Sequence, residues 1–103
     1  MSVTSCIKVA LDQNTVYWKD HILRRMRQRN ISVIDILDVL RDCMVIEEYH
    51  DDRPFPSYLI FGYGNKRPVH IVVGINMDVN EIHRITAYIP DTSIWEDDYR
   101  RRK

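Results

Sequence analysis

The spacing of apolar residues changes from a helical repeat to an alternating one at about residue 44. Before that point, one segment carries apolar side chains at positions i, i+3, i+4 and i+7, namely Val33, Ile36, Leu37 and Leu40. Ser32 and Asp35 match a capping box, in which each side chain binds the backbone N–H of the other residue. This pattern predicts a helix that begins after Ser32.

Two further helices are predicted upstream. A helix from about Thr4 to Gln13 has one apolar face, although the alternation of residues 6–9 also allows a strand. Another helix, from about Lys19 to Gln28, has an apolar stripe at i, i+4 and i+8 formed by Trp18, Ile22 and Met26. Asn30 is suited to end this helix, because asparagine tolerates the left-handed conformation.

The period of two beyond residue 44 predicts four strands, at residues 44–49, 57–63, 69–76 and 81–89. Pro90 ends the last strand, and residues 91–93 offer N-caps for a short helix that carries Ile94, Trp95 and Tyr99. Helices followed by consecutive strands predict one α+β domain over residues 1–103. In it, two or three N-terminal helices pack on a four-stranded antiparallel meander, followed by the short C-terminal helix.

Strand polarity predicts a polar cluster on the sheet. One row of each of the last two strands is mostly aliphatic: Val69, Ile71, Val73 and Ile75, then His83, Ile85, Ala87 and Ile89. If these rows face the helices, the opposite and more open face carries His70, Arg84, Thr86 and Tyr88. His83 falls in the aliphatic row, so we interpret it as a core or strand-end residue rather than a catalyst.

Charge and cysteine content narrow the functional class. The 103-residue chain has a formal net charge of zero, which argues against a general nucleic-acid coat protein. The charges are nevertheless segregated, with a basic segment at residues 19–29 and an acidic one at 35–52. The two cysteines form no CxxC motif, and we find no secretory leader and no run of membrane-spanning length. We therefore expect a reduced, cytoplasmic protein without membrane association.

The basic segment contains a candidate anion-binding cluster. His21, Arg25 and Arg29 are spaced i, i+4, i+8 and project from nearly one side of the second helix. Like charges at this spacing cost about 0.2–0.5 kcal/mol per pair, so a bound anion is one reason to keep them together. The alternatives are a half-buried His21 bound to a backbone carbonyl and arginines that only face solvent. We prefer the solvent-facing interpretation for Arg24 and Arg27.

Both clusters contain the groups that metal-independent phosphodiester cleavage requires. An imidazole transfers a proton near neutral pH, a guanidinium stabilises charge on the phosphate oxygens, and a hydroxyl positions the phosphate. In RNA the 2′-hydroxyl supplies the nucleophile. His70 stands in an otherwise aliphatic strand, where a polar residue should have a reason; the alternative is a side chain that simply faces water. We expect no metal and no small-molecule cofactor, because the sequence has no known ligand spacing and no nucleotide-binding or serine-hydrolase motif.

A family resemblance rests on His21-x-x-x-Arg25-Met26-x-x-Arg29-Asn30-Ile31-Ser32, Val69-His70-Ile71-Val72-Val73 and Ile85-Thr86-Ala87-Tyr88. Over about residues 16–96 the chain resembles a group of small bacterial domains of unknown function. These domains are similar to the RelE/ParE and BrnT toxins of toxin–antitoxin systems. The resemblance implies helices followed by an antiparallel sheet, metal-independent RNA cleavage and a cognate antitoxin as partner. It implies catalytic roles for His21, Arg25, His70, Thr86 and Tyr88.

The leading hypothesis is therefore a ribonuclease-type toxin that binds RNA phosphate through Arg29 and Arg84. RelE-like ribonucleases are usually basic, whereas this chain is neutral. The alternative is a non-enzymatic module that, like ParE, inhibits a protein target or acts as an inactive interaction domain. Fold resemblance alone does not separate the two.

Overall fold

Three helices precede a four-stranded antiparallel sheet in the computed structural model, which describes residues 2–103. The elements are α1 (Val3–Gln13), α2 (Asp20–Gln28), α3 (Val33–Arg41), β1 (Met44–Tyr49), β2 (Ser57–Gly64), β3 (Arg67–Asn76) and β4 (Glu81–Tyr88). The strand order is β1-β2-β3-β4, and each strand is antiparallel to the next. The predicted α+β meander is confirmed.

Local capping signals account for the helix boundaries. The Ser32 hydroxyl accepts from the Asp35 N–H and the Asp35 carboxylate accepts from the Ser32 N–H, each at 3.0 Å, so the predicted capping box is formed. Asn14 and Asn30 adopt left-handed backbone conformations just beyond α1 and α2, with φ values of 58° and 57°. The first segment is a helix rather than a strand, and the Ser2 hydroxyl caps its N-terminus.

A single apolar core lies between the helices and one face of the sheet. Its most deeply buried members include Ile7, Ile36, Leu40, Ile60, Ile71, Ile75, Ile82 and Ile85. Burial of each such side chain contributes roughly 1.5–3 kcal/mol. No helix among residues 2–103 is long and apolar enough to cross a membrane.

A β-bulge changes the predicted alternation of side chains along β4. Ile75 pairs with Ile82 and Gly74 pairs with Arg84, so His83 is an extra residue on the β4 side. The bulge changes which side chains face the helices, and Ile82 is therefore in the core. The prediction that His83 belongs to the aliphatic row was wrong, because Ile82 faces the core in its place. The assignment of Ile89 to a strand was also wrong, because β4 ends at Tyr88.

The chain after Pro90 forms turns and does not form the predicted C-terminal helix. The N–H groups of Ile94 and Trp95 both bind the Asp91 carbonyl, so a helical turn starts where it was expected. Tyr99, however, has a φ of 59°, and a backbone bridge joins Trp95 to Arg102. The chain therefore folds back, and we refer to residues 91–103 as the C-terminal segment.

Candidate functional site

Helix α2 and the residues before it run along the outer edge of β4. Backbone hydrogen bonds join Ile82 to Thr15 and to Tyr17, at 3.0 and 2.9 Å. At the other end of the helix, the Arg29 guanidinium donates to the Ala87 carbonyl at 2.7 Å. A shallow groove between these points is lined by Ile22, Arg25, Met26, Arg29, Ile85, Thr86 and Ala87. We call it the α2–β4 groove.

The outward surface of α2 is basic and exposed. His21, Arg24, Arg25 and Arg27 are all exposed, and we call these four residues the basic face. Within residues 21–29, Arg29 makes the only side-chain hydrogen bond to another described residue. His21 is thus not the half-buried histidine that the sequence allowed as an alternative. Among the side chains that the structure describes, no carboxylate pairs with the guanidiniums of the basic face, in contrast to that of Arg41, which pairs with Asp38.

His70 lies on the opposite face of the sheet and is completely buried. Its Nε2 donates to the Tyr99 carbonyl at 2.7 Å, because a carbonyl oxygen can only accept. Its Nδ1 lies 3.2 Å from the Tyr88 hydroxyl, which donates to it when the ring is neutral. Burial lowers the pKa of His70 below the ordinary value of 6.5, while the hydrogen bond to Tyr99 opposes this shift. One neutral tautomer therefore satisfies both ring nitrogens.

The C-terminal segment closes over His70. Trp95 is buried and meets the imidazole edge-on, with 4.5 Å between the ring centroids. The Arg102 guanidinium lies 4.6 Å from the centre of the Trp95 ring and makes two 3.0 Å hydrogen bonds to the Glu47 carboxylate. This contact raises the pKa of Arg102 and lowers that of Glu47. The part of the predicted open face around His70 is therefore covered, whereas the Arg84 side chain on the same face is 44% exposed.

The predicted site residues thus separate into two groups. His21, Arg25 and Arg29 lie at the basic face or in the α2–β4 groove, whereas Thr86 also lines the groove but pairs with Val72 on the sheet face of Tyr88. On the covered face, Tyr88 is hydrogen-bonded to the buried His70, and neither His70 ring nitrogen is exposed to a substrate. Arg84 shares that face but lies further along the strand, where its Nη2 contacts Ser57 and Asp52. The catalytic roles of these residues remain predictions.

His83, which the sequence predicted to be a core or strand-end residue, is half-buried near the start of the edge strand β4. The His83 ring stacks between Tyr17 and Phe55, with centroid distances of 5.0 and 4.9 Å. Its Nε2 lies 2.7 Å from a Glu81 carboxylate oxygen. The periodicity of the sequence cannot reveal this arrangement, because it depends on the bulge in β4. The only local sign of the contact between Glu81 and His83 was their spacing at i, i+2 on one strand.

The remaining ionisable groups do not suggest a metal or thiol centre. Within residues 2–103, no group of three His, Cys, Asp or Glu side chains is placed to hold a metal ion. Both cysteines are free, and Cys6 is buried. Burial, together with the charge of Asp42, raises the pKa of the Cys43 thiol to about 11, which disfavours the reactive thiolate.

Residues 18–89 match a family described as a domain of unknown function (DUF4258). The chain belongs to the DUF4258 family. The DUF4258 match covers α2, α3 and all four strands, and so includes both groups of predicted site residues and His83. Comparisons with curated proteins and with solved structures find no match.

Proposed function

We propose that this DUF4258 protein is the toxin of a toxin–antitoxin system, acting in the cytoplasm as a metal-independent endoribonuclease. The observation that supports the proposal is the basic face of α2. Arg24, Arg25 and Arg27 extend from one short helix into solvent, and exposed guanidiniums bind phosphate oxygens strongly. A cognate antitoxin protein is the expected partner.

The α2–β4 groove suggests a role for each nearby residue. Arg29 is already bound to the Ala87 carbonyl, which holds the C-terminal end of α2 against the sheet. Arg25 is beside it and exposed, so it is suited to stabilise negative charge on a phosphate bound at the surface beside the groove. His21, one turn earlier, is exposed and able to exchange a proton with solvent or substrate. His70 and Tyr88 have a structural role in this proposal.

Induced expression tests the proposed activity. We expect the unchanged protein to stop growth and to degrade total RNA within the same period. Replacement of Arg24, Arg25 and Arg27 by Gln is expected to abolish both effects, because it removes three phosphate-binding groups without touching the core. The matched control replaces Arg41, Arg100 and Arg101 by Gln, which removes the same charge from exposed positions elsewhere. Intact RNA in cells expressing the unchanged protein contradicts the proposed ribonuclease.

The second candidate function is inhibition of a protein target, as in ParE. The observation that favours it is an exposed apolar pair at the start of α3, where Ile34 is 69% and Val33 is 37% exposed. Neutral net charge agrees with a protein partner. This function predicts growth arrest with intact RNA, and loss of the arrest in Ile34→Asp but not in the triple arginine variant.

A further inference from the structure

His83 and Glu81 form an acid–base pair near the start of β4, beside Tyr17, which precedes α2. The carboxylate binds His83 Nε2 at 2.7 Å, so Nε2 is the donor and the neutral ring keeps its lone pair on Nδ1. Nδ1 has no hydrogen-bond partner among the described residues and is not one of their buried, unpaired polar atoms. It is therefore open to solvent. A carboxylate that orients an imidazole whose other nitrogen is free is the arrangement of a general base.

The surroundings hold this imidazole in place. Tyr17 and Phe55 pack on its two faces, and the bulge directs the side chain away from the core. Tyr17 is itself 45% exposed, which leaves part of an aromatic ring available for a nucleobase to stack on. His70, by contrast, has both ring nitrogens occupied.

A phosphate-binding group adjoins the pair. Arg84 follows His83 in the chain, and its guanidinium contacts Ser57. Ser57 lies two residues after Phe55, whose ring stacks on His83. Both side chains therefore lie against the same stretch of chain. Arg84 uses only Nη2 for its contacts with Ser57 and Asp52, so Nη1 and Nε have no partner among the described residues. Each of these two donors can bind a separate phosphate oxygen while Nη2 stays paired with Asp52.

The pair also lies in line with the basic face. Tyr17 is bound to Ile82 at the start of β4, and Arg29 is bound to Ala87 near its end. The chain from Tyr17 to Arg29 therefore follows β4 from the His83 stack (Tyr17, His83 and Phe55) to the far end of the groove. A single-stranded polyanion lying along this edge would meet the arginines of α2 and the free nitrogen of His83.

We propose that His83 is the general base for cleavage of single-stranded RNA and that Glu81 is its positioning residue. The inference rests on the proposed ribonuclease function. His83 Nδ1 takes the proton of a 2′-hydroxyl while that oxygen bonds to phosphorus, and the bond from phosphorus to the 5′ oxygen breaks. Water supplies the proton to the 5′ oxygen, and His83 later releases its proton to solvent. The products are a 2′,3′-cyclic phosphate and a 5′-hydroxyl end.

The test measures cleavage of a fluorescent single-stranded RNA by the purified protein and its variants. His83→Phe keeps an aromatic ring between Tyr17 and Phe55, and we expect it to lower kcat by about 100-fold or more, the usual contribution of a general base. Glu81→Gln keeps a hydrogen-bond acceptor for Nε2, so we expect a smaller fall in kcat with KM unchanged. A purely structural role for Glu81 would instead lower thermal stability and leave the kcat of the folded protein unchanged.

A matched control is present at the opposite edge of the sheet, directly after β1. His50 also has a glutamate two residues before it, with 3.8 Å between His50 Nε2 and the Glu48 carboxylate, but it stands in solvent. His50→Phe is expected to cleave at the unchanged rate. Cleavage by folded His83→Phe at the unchanged rate overturns the inference while the ribonuclease function stands. Absence of cleavage by the unchanged protein overturns both.

Discussion

Histidines 70 and 83 differ in function because their ring nitrogens have different partners. Both nitrogens of His70 are satisfied by Tyr88 and Tyr99 in a fully buried position. In His83, Nε2 is hydrogen-bonded to the Glu81 carboxylate, and Nδ1 has no partner among the described residues. The sequence could place both residues on strands, but hydrogen-bond partners from residues 18 and 29 positions away cannot be inferred from local spacing.

Because His70 is buried, we expect the free energy of unfolding to depend on pH in mildly acidic solution. The unfolded chain takes up a proton near pH 6.5, whereas burial lowers the pKa of folded His70. The unfolded state thus binds more protons, so the free energy of unfolding is at its full value above about pH 6.5 and falls below it. The charged groups that face the ring, Glu47 and Arg102, are paired with each other.

Urea unfolding at about pH 7.5 and about pH 5.5 measures this effect. We expect the midpoint to fall at the lower pH in the unchanged protein. His70→Phe is expected to be less stable at both values, because the Tyr99 carbonyl loses its donor, but to depend less on pH. An equal pH dependence in both proteins would show that another group is responsible. Glu47 has a pKa below its ordinary value of 4.5, so it changes the free energy of unfolding only at a lower pH than His70 does.

At the scale of the elements, local signals were sufficient for the helices and for the order of the strands. The capping box at Ser32, the left-handed Asn30 and the turn at Asn65 and Lys66, with φ values of 53° and 63°, all depend on adjacent residues. The bulge in β4 and the path of the C-terminal segment depend on distant partners. Trp95 and Tyr99 have helical spacing, yet they pack on the sheet through turns. Sequence periodicity therefore failed where tertiary contacts decide the conformation.

The C-terminal segment is expected to be held mainly by Trp95. This side chain is 3% exposed and contacts both the His70 ring and the Arg102 guanidinium. Trp95→Ala leaves a cavity above His70 and should lower the free energy of unfolding by about 3 kcal/mol. The adjacent Ile94 is 48% exposed, so Ile94→Ala should change it by less than about 0.5 kcal/mol. Chemical denaturation of both variants makes the comparison, and equal effects would contradict the assigned role.

At the scale of the whole molecule, the sheet separates two regions with different chemistry. One face of the sheet packs against the helices in the apolar core. Aromatic residues of the C-terminal segment pack on the other face around His70. The exposed arginines of α2 lie at the outer edge of β4. The sequence correctly indicated the basic helix, because charge is visible residue by residue. It could not show that His70 and His21 lie on opposite sides of the sheet.

This charge distribution predicts how RNA binding responds to salt. The net charge is zero, so attraction must come from the basic face rather than from the molecule as a whole. If three arginines each neutralise one phosphate of a single strand, log K should fall with log salt with a slope of about −2.

Fluorescence anisotropy with a labelled single-stranded RNA over a series of salt concentrations measures this slope. Substitution of Arg24, Arg25 and Arg27 by Gln should make the slope shallower by about 2 and leave only the contribution of Arg84, since the three contacts no longer release counterions. The same substitutions at Arg41, Arg100 and Arg101 remove equal charge and should leave the slope unchanged. If the slope becomes shallower by the same amount in both variants, RNA binding depends on the net charge of the protein. The basic face would then have no special role in binding.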